Sequence, residues 1–369
     1  MEYFQESGVY DVLSLGGFGL LAVNLLLMGY ISTCREQFGY SRGLLFLAAI
    51  YLVVIMTITM TGDKVRYMYA FDDYYETGLS FESAKDAGFA IFTYLLGNIV
   101  QGNALLYFLI IASIYVGGAM FFARKCFPDK DVPLCASIFS SFGFWSYGVN
   151  TLRAGLALSL LLVALAYLVL YGKKRWITVL IIGAISLSFH VSMLIPIAAI
   201  VLGYLFHRPR LFLIGWFLCL LVSLAFGDVI QSSVGVYFED SEERRISSYL
   251  LGDSSGYNMG FRWDFLLFSV CPIFLSFFYK FCWKVNDRFY DIVVCAYLAA
   301  NGFWLLLIRV PFSDRIAYLS WFLMPLILLL PFLRWEKVVA KNSKILLTLM
   351  GQFGFLIFMM IYHNLQQGN

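Results

Sequence analysis

His190 is the residue in this chain best suited to moving a proton. It stands inside an apolar run, 176–206, with Ser192 two positions on and Pro196 six positions on. An imidazole titrates near neutrality and works as a general acid or base. An ionisable group inside a membrane-length apolar run points to function. A lone histidine on an apolar face also serves structural ends, and both readings stand at this point. Three further polar spots interrupt or flank apolar runs. Asp63, Arg66 and Tyr67 close the second run, and Asn150 and Arg153 sit in a tight turn between two runs. Arg262 and Asp264 open a later run, with Arg309, Asp314 and Arg315 around Pro311.

Arginine grips planar anions such as phosphate with two parallel hydrogen bonds. Arg66, Arg153, Arg262, Arg309 and Arg315 are therefore the candidates for substrate contact, with Tyr67 and Ser192 beside them. His190 is the candidate base. Asp264 leads the carboxylates that could share or replace that role, ahead of Asp72 and Asp73. Asp264 could instead cap its helix, Asp314 could neutralise Arg309 or Arg315, and a single arginine could be an interfacial anchor. The three histidines, His190, His207 and His363, include no pair at ligand spacing, so no metal site is expected. The chain has no G-x-x-x-x-G-K-[ST] run for a nucleotide. Neither a cofactor nor a nucleic-acid partner is expected.

Membrane helices must position these residues. Of 369 residues, 61% are apolar and 13% charged, with a mean hydropathy of +0.80. These values exclude a soluble globular domain, a disordered chain and a disulfide scaffold. Seven cysteines without paired spacings read as small hydrophobes. At about 20 residues per crossing, the apolar content supplies about eleven or twelve spans. The runs are 12–31, 43–62, 103–123, 133–149, 154–171, 211–230, 264–282, 289–308, 316–333 and 345–363. The run 176–206 is too long for one span and divides into 176–189 and 193–206 at a polar break. The expectation is an all-α polytopic protein of about twelve segments, forming one membrane domain over 1–369.

Basic residues orient it. With both termini on the periplasmic side, 17 of the 26 Lys and Arg fall in cytoplasmic segments. Both flanks of 176–206 are basic, which favours a broken hairpin there. The nine exterior cations are seven Arg and two Lys, a bias that suggests anion recognition. The long exterior loops are 63–102 and 231–263. In the first, Phe89, Phe92, Leu95, Leu96 and Ile99 recur at helical spacing, predicting an interfacial amphipathic helix near 84–101. The second is charged and glycine-containing, either a lid or a plain solvated loop.

The order of motifs resembles a known family. Asp63 with Arg66-Tyr67 comes first, then Thr151-Leu152-Arg153 followed by Leu156-Ala157. Phe189-His190-x-Ser192 follows, and then Arg315-Ile316 opens a span ending near Pro325. Together they look like the EpsG family of Wzy-type polysaccharide polymerases, over about residues 60 to 335. Ala154 stands where many members carry Gln. The resemblance implies a membrane glycosyltransferase of the bacterial inner membrane. It would join oligosaccharide repeat units carried on undecaprenyl pyrophosphate, without a cofactor. It implies a flippase and a chain-length regulator as pathway partners. A flippase for the same lipid-linked unit and a membrane acyltransferase using His190 are the alternatives.

Overall fold

The structure is a computed structural model that describes residues 22–29, 42–60, 62–78, 86–239, 260–310, 313–335 and 340–367. Among the described residues every regular element is helical and there is no strand. The chain divides into two compact units, Met1–Leu194 with Phe332–Asn369, and Ile195–Pro331. The expected span at 12–31, Lys85 and the charged stretch 240–259 lie wholly or largely outside the described residues.

After a helical stretch at 22–29, the first unit continues with α1 (Arg42–Ile58), α2 (Gly62–Thr77), α3 (Ala87–Ile99) and α4 (Ala104–Cys126). A bent pair follows, α5 (Asp131–Phe139) and α6 (Phe142–Val149), at 67° to each other. Then come α7 (Leu152–Tyr171) and α8 (Trp176–Phe189), joined by a 3₁₀ turn at Gly172–Arg175. Although 152–189 is almost continuously helical, α7 and α8 fold back on each other. The Ser186 hydroxyl donates to the Ala157 carbonyl at 2.6 Å, whereas 29 residues of straight helix would separate them by about 43 Å. Gly172, at φ +51°, accommodates the reversal. Small residues let the helices approach closely. A Cβ on Gly155 would lie 2.7 Å from the Tyr147 carbonyl, and one on Gly118 would overlap the Ser159 hydroxyl.

The second unit holds α9 (Leu194–Phe206), α10 (Pro209–Glu239), α11 (Trp263–Cys282), α12 (Arg288–Leu306), α13 (Ser313–Trp321) and α14 (Met324–Arg334), the first and last straddling its borders. A final helix, α15 (Lys341–Gln367), belongs to the first unit. The core of the second unit carries a connected polar network. Asn301 accepts from the Trp216 indole at 2.8 Å and donates to Ser269 and Ser320 at 3.2 and 3.1 Å. The Trp321 indole also donates to Ser269, at 2.9 Å. Each amide atom of Asn301 has a partner, which is what makes such a residue tolerable in an apolar interior.

Among the described residues, seven helical stretches are long and apolar enough to cross a membrane, or eight if α5 and α6 form one broken span. That is fewer than the expected twelve. The physical reason is length. The apolar helices at Gly43–Ile58 and Ala87–Ile99 fall short of the roughly 20 residues that the hydrocarbon requires, as does Val191–Phe206. In addition, α7 and α8 count as one stretch by composition although the chain reverses between them. The expected break in 176–206 is present. There α8 stops at Phe189, His190 is extended at φ −160° and ψ 116°, and a 3₁₀ turn at Val191–Met193 precedes α9.

The described parts of the expected exterior loops are largely helical. Both α2 and α3 occupy 63–102, and α10 runs on to Glu239. In α3 the inward face carries Phe89, Ala90, Thr93, Leu96 and Gly97, while Ile91, Leu95 and Ile99 are exposed. Leu95 and Ile99 therefore face away from Phe89 and Leu96. Both stripes are apolar, so spacing alone could not choose between them.

Lys64, read from the sequence as an exterior charge, is buried. Its ammonium donates to the carbonyls of Met56, Thr57 and Thr59 at 2.6, 2.7 and 2.9 Å, and it lies 4.6 Å from the centre of the Phe108 ring. It thus satisfies the carbonyls at the end of α1. Burial lowers its pKa to about 7. Lys64→Met is expected to strand these acceptors and lower stability by about 3 kcal/mol. Thermal unfolding of the detergent-solubilised protein checks this. An unchanged midpoint would mean that α1 ends without this cap.

Candidate functional site

Asp86 gathers two of the residues that sequence reasoning had singled out in the first unit, Arg153 and His190. It is the N-cap residue of α3, yet its carboxylate makes no capping bond to its own helix. It turns instead to the starts of α7 and of the turn after α8. Arg153 Nη1 donates to Asp86 Oδ2 at 2.8 Å, His190 Nδ1 lies 3.1 Å from the same oxygen, and the Val191 amide donates to Oδ1 at 3.2 Å. The Asp86 side chain is 6% exposed, against 28% for His190 and 33% for Arg153. The carboxylate is enclosed while its partners reach outward.

Local packing explains the arrangement. Gly88, in the first turn of α3, lies so close to Ser188 near the end of α8 that any Cβ would collide with it. Phe189 packs against Phe89 and Phe92, with ring centres 6.2 and 5.4 Å apart. The start of α3 is thereby seated on the end of α8, and Asp86 meets the break at His190. Tyr67 of α2 closes the group. Its ring packs edge-on to Phe89 at 5.8 Å, and the Arg153 guanidinium lies 5.7 Å from its centre.

The electrostatics follow from the partners. Burial acts to raise the Asp86 carboxyl. The hydrogen bond and charge of His190, the Arg153 guanidinium and the Val191 amide outweigh it and hold the carboxyl below its usual value. An ionised carboxylate at His190 Nδ1 favours a proton on that nitrogen and leaves the Nε2 lone pair to accept one. Two buried polar atoms at the start of α7, Arg153 Nε and the Thr151 hydroxyl, have no hydrogen-bond partner among the described residues. Such atoms are costly in a native structure unless something else serves them.

The other expected residues of this unit lie apart from Asp86 or at its margin. Arg66 is 78% exposed and pairs with Asp63 at 3.3 Å. Ser192 sits in the 3₁₀ turn, half-buried, beside Val191. On α2, partial burial and then Glu76 raise the Asp72 carboxyl, and Asp73 accepts from Thr77.

In the second unit Arg262 clasps Asp264 with a two-pronged pair, Nε to Oδ1 at 2.9 Å and Nη2 to Oδ2 at 2.6 Å. The Arg262 guanidinium also stacks 3.7 Å from the centre of the Phe265 ring. Asp314 lies within the electrostatic reach of both Arg315 and Arg262. Arg309 donates to Asp228 at 2.7 Å and passes close over Gly227. Asp264 thus has both oxygens engaged by an arginine.

Sequence reasoning missed Asp86 as a site residue. Its only signal was a charged pair, Lys85-Asp86, just ahead of an apolar helix, and that pattern ordinarily marks a helix start. Comparison with known proteins gives one match. A family model described as the EpsG family matches residues 42–369. No curated protein and no solved structure matches the chain.

Proposed function

The chain belongs to the EpsG family, a family of Wzy-like polysaccharide polymerases, and on that premise we propose that it joins lipid-linked oligosaccharide repeat units. The donor is a sugar chain on undecaprenyl pyrophosphate and the acceptor is the next lipid-linked unit. The reaction takes place at the periplasmic face of a bacterial inner membrane. The observation that carries this reading is the Asp86–His190–Arg153 cluster, a base with its orienting carboxylate beside an arginine.

The step balances without a cofactor. The acceptor hydroxyl gives its proton to His190 Nε2, and its oxygen bonds to the anomeric carbon of the donor. The anomeric C–O bond to phosphate breaks, and undecaprenyl pyrophosphate leaves with the electron pair. A fixed arginine is worth most here, because negative charge on the leaving group grows toward the transition state. As His190 takes up the proton, the cluster gains one positive charge at the moment the leaving group gains a negative one. Arg153 is the first candidate for the pyrophosphate. Arg262, Arg309 and Arg315 are further candidates in the second unit, and Tyr67 and Ser192 are candidates for sugar contacts. Asp264 is the weaker base, since Arg262 engages both of its oxygens.

In this reading the candidate spans and the shorter apolar helices together make about twelve membrane segments, with both termini periplasmic. The apolar α3 lies in the outer interface, where it brings Asp86 to the membrane surface. A flippase and a chain-length regulator act before and alongside the enzyme. Deletion of the gene is expected to leave surface glycolipid carrying a single repeat unit, seen as collapse of a ladder of bands to its lowest rung. A deletion strain with no exported unit would point to a flippase. Normal chain length with lost acetylation would point to an acyltransferase.

A further inference from the structure

We propose that a cavity between the start of α10 and the end of α11 binds the phosphate headgroup of an anionic glycerophospholipid. This site lies within the second unit and is independent of the polymerase reading. The cavity, about 500 Å³, is lined by Arg208, Arg210 and Lys280 together with Leu211, Phe277 and Phe281. The candidate span in α10 begins at Pro209 and the one in α11 ends at Cys282. The cavity therefore sits where two spans leave the hydrocarbon, which is headgroup depth.

The charges in it are unequal. Lys280 is ion-paired with Asp291. Arg208 and Arg210 are exposed and have no carboxylate partner among the described residues. The Arg210 guanidinium lies over the Phe281 ring, 5.1 Å from its centre. Two guanidiniums with open donor edges suit the non-bridging oxygens of a phosphodiester. The rest of the lining is apolar, and Leu211 and Phe281 are 56% and 54% exposed. That surface suits acyl chains descending from the headgroup, and basic pockets between membrane helices bind anionic lipids in this way. A free phosphate would use the arginines and leave the apolar wall idle.

The test uses the full-length protein in phosphatidylcholine nanodiscs doped with phosphatidylglycerol, with retained lipid counted by native mass spectrometry after detergent extraction. The wild type is expected to retain phosphatidylglycerol over phosphatidylcholine. Arg208→Gln with Arg210→Gln is expected to weaken that retention about twenty-five-fold, each arginine contributing about fivefold. Its phosphatidylcholine retention and melting temperature should not change. Arg208→Lys with Arg210→Lys keeps the charge and is expected to lose less. It also supports the assignment if the Gln pair does not fold. Equal retention of both lipids by the wild type would overturn the proposal. So would undiminished phosphatidylglycerol binding by the folded Gln pair. Displacement by millimolar inorganic phosphate as effective as displacement by the lipid would assign the site to a free anion and overturn the lipid.

Discussion

Polymerisation by His190→Gln is expected to fall about 10²–10⁴-fold, the usual worth of a positioned general base, in a protein that still folds and inserts. Glutamine fills a similar volume and can still donate to Asp86, so the break after α8 should persist. It cannot take up the proton of the acceptor hydroxyl. The measurement is the rate of chain extension by purified enzyme on lipid-linked substrate across a pH series. The loss should hold across the series, because the group that takes up the proton is gone. Asp86 keeps its charge through such a series. Its pKa is lowered, so its pairing is fully present above the unfolded carboxyl value of about 3.9 and is lost only as pH falls through the lower folded value. Asp86→Asn should give an intermediate loss. An amide can hold the ring but no longer fixes the proton on Nδ1. A His190→Gln enzyme with wild-type rate and profile would remove His190 from the chemistry and bring Asp72 and Asp73 forward.

Parts of this arrangement were legible from local chemistry. His190 and Ser192 interrupt an apolar run, and the helix does break there. Lys173, Lys174 and Arg175 mark the turn between α7 and α8, because three adjacent cations do not sit comfortably within a span. Arg153 stood out as a charge in a very short turn. What stayed hidden depends on contacts between residues far apart in the chain. Asp86 meets His190 across 104 positions, and it does so because Gly88 lets α3 settle on Ser188. No spacing rule encodes that approach. The partners of Lys64 were hidden for a related reason. A lysine after an apolar run gives no sign of what it bonds, and only the path of the backbone shows that three carbonyls converge on it. The Asn301 network was silent in the sequence because its members come from four helices, each contributing an ordinary Asn, Ser or Trp. The bounds of the spans were less legible, because composition sets how much apolar chain exists, not how it is cut into lengths.

Arg153→Lys is the second large effect expected, a loss of roughly 10–100-fold in the rate of chain extension, the worth of one or two hydrogen bonds to a charged group. Lysine keeps the charge and can still pair with Asp86, so folding and the Asp86–His190 contact should survive. What it loses is the fork. In the wild type one Nη1 donor is spent on Asp86, while Nε is buried and unserved. A guanidinium has five donors in a rigid plane, so it can hold the carboxylate and still present an edge to a phosphate. An ammonium has three donors and no such edge. The loss should appear in kcat more than in KM, because the charge on the leaving group is larger in the transition state than in the bound donor. Arg66→Lys serves as the control. Its side chain is 78% exposed and paired with Asp63, so near-normal extension is expected from it. If Arg153→Lys extends chains as fast as Arg66→Lys does, Arg153 acts as a charge anchor and the pyrophosphate is held elsewhere, with Arg262 and Arg315 the next residues to replace.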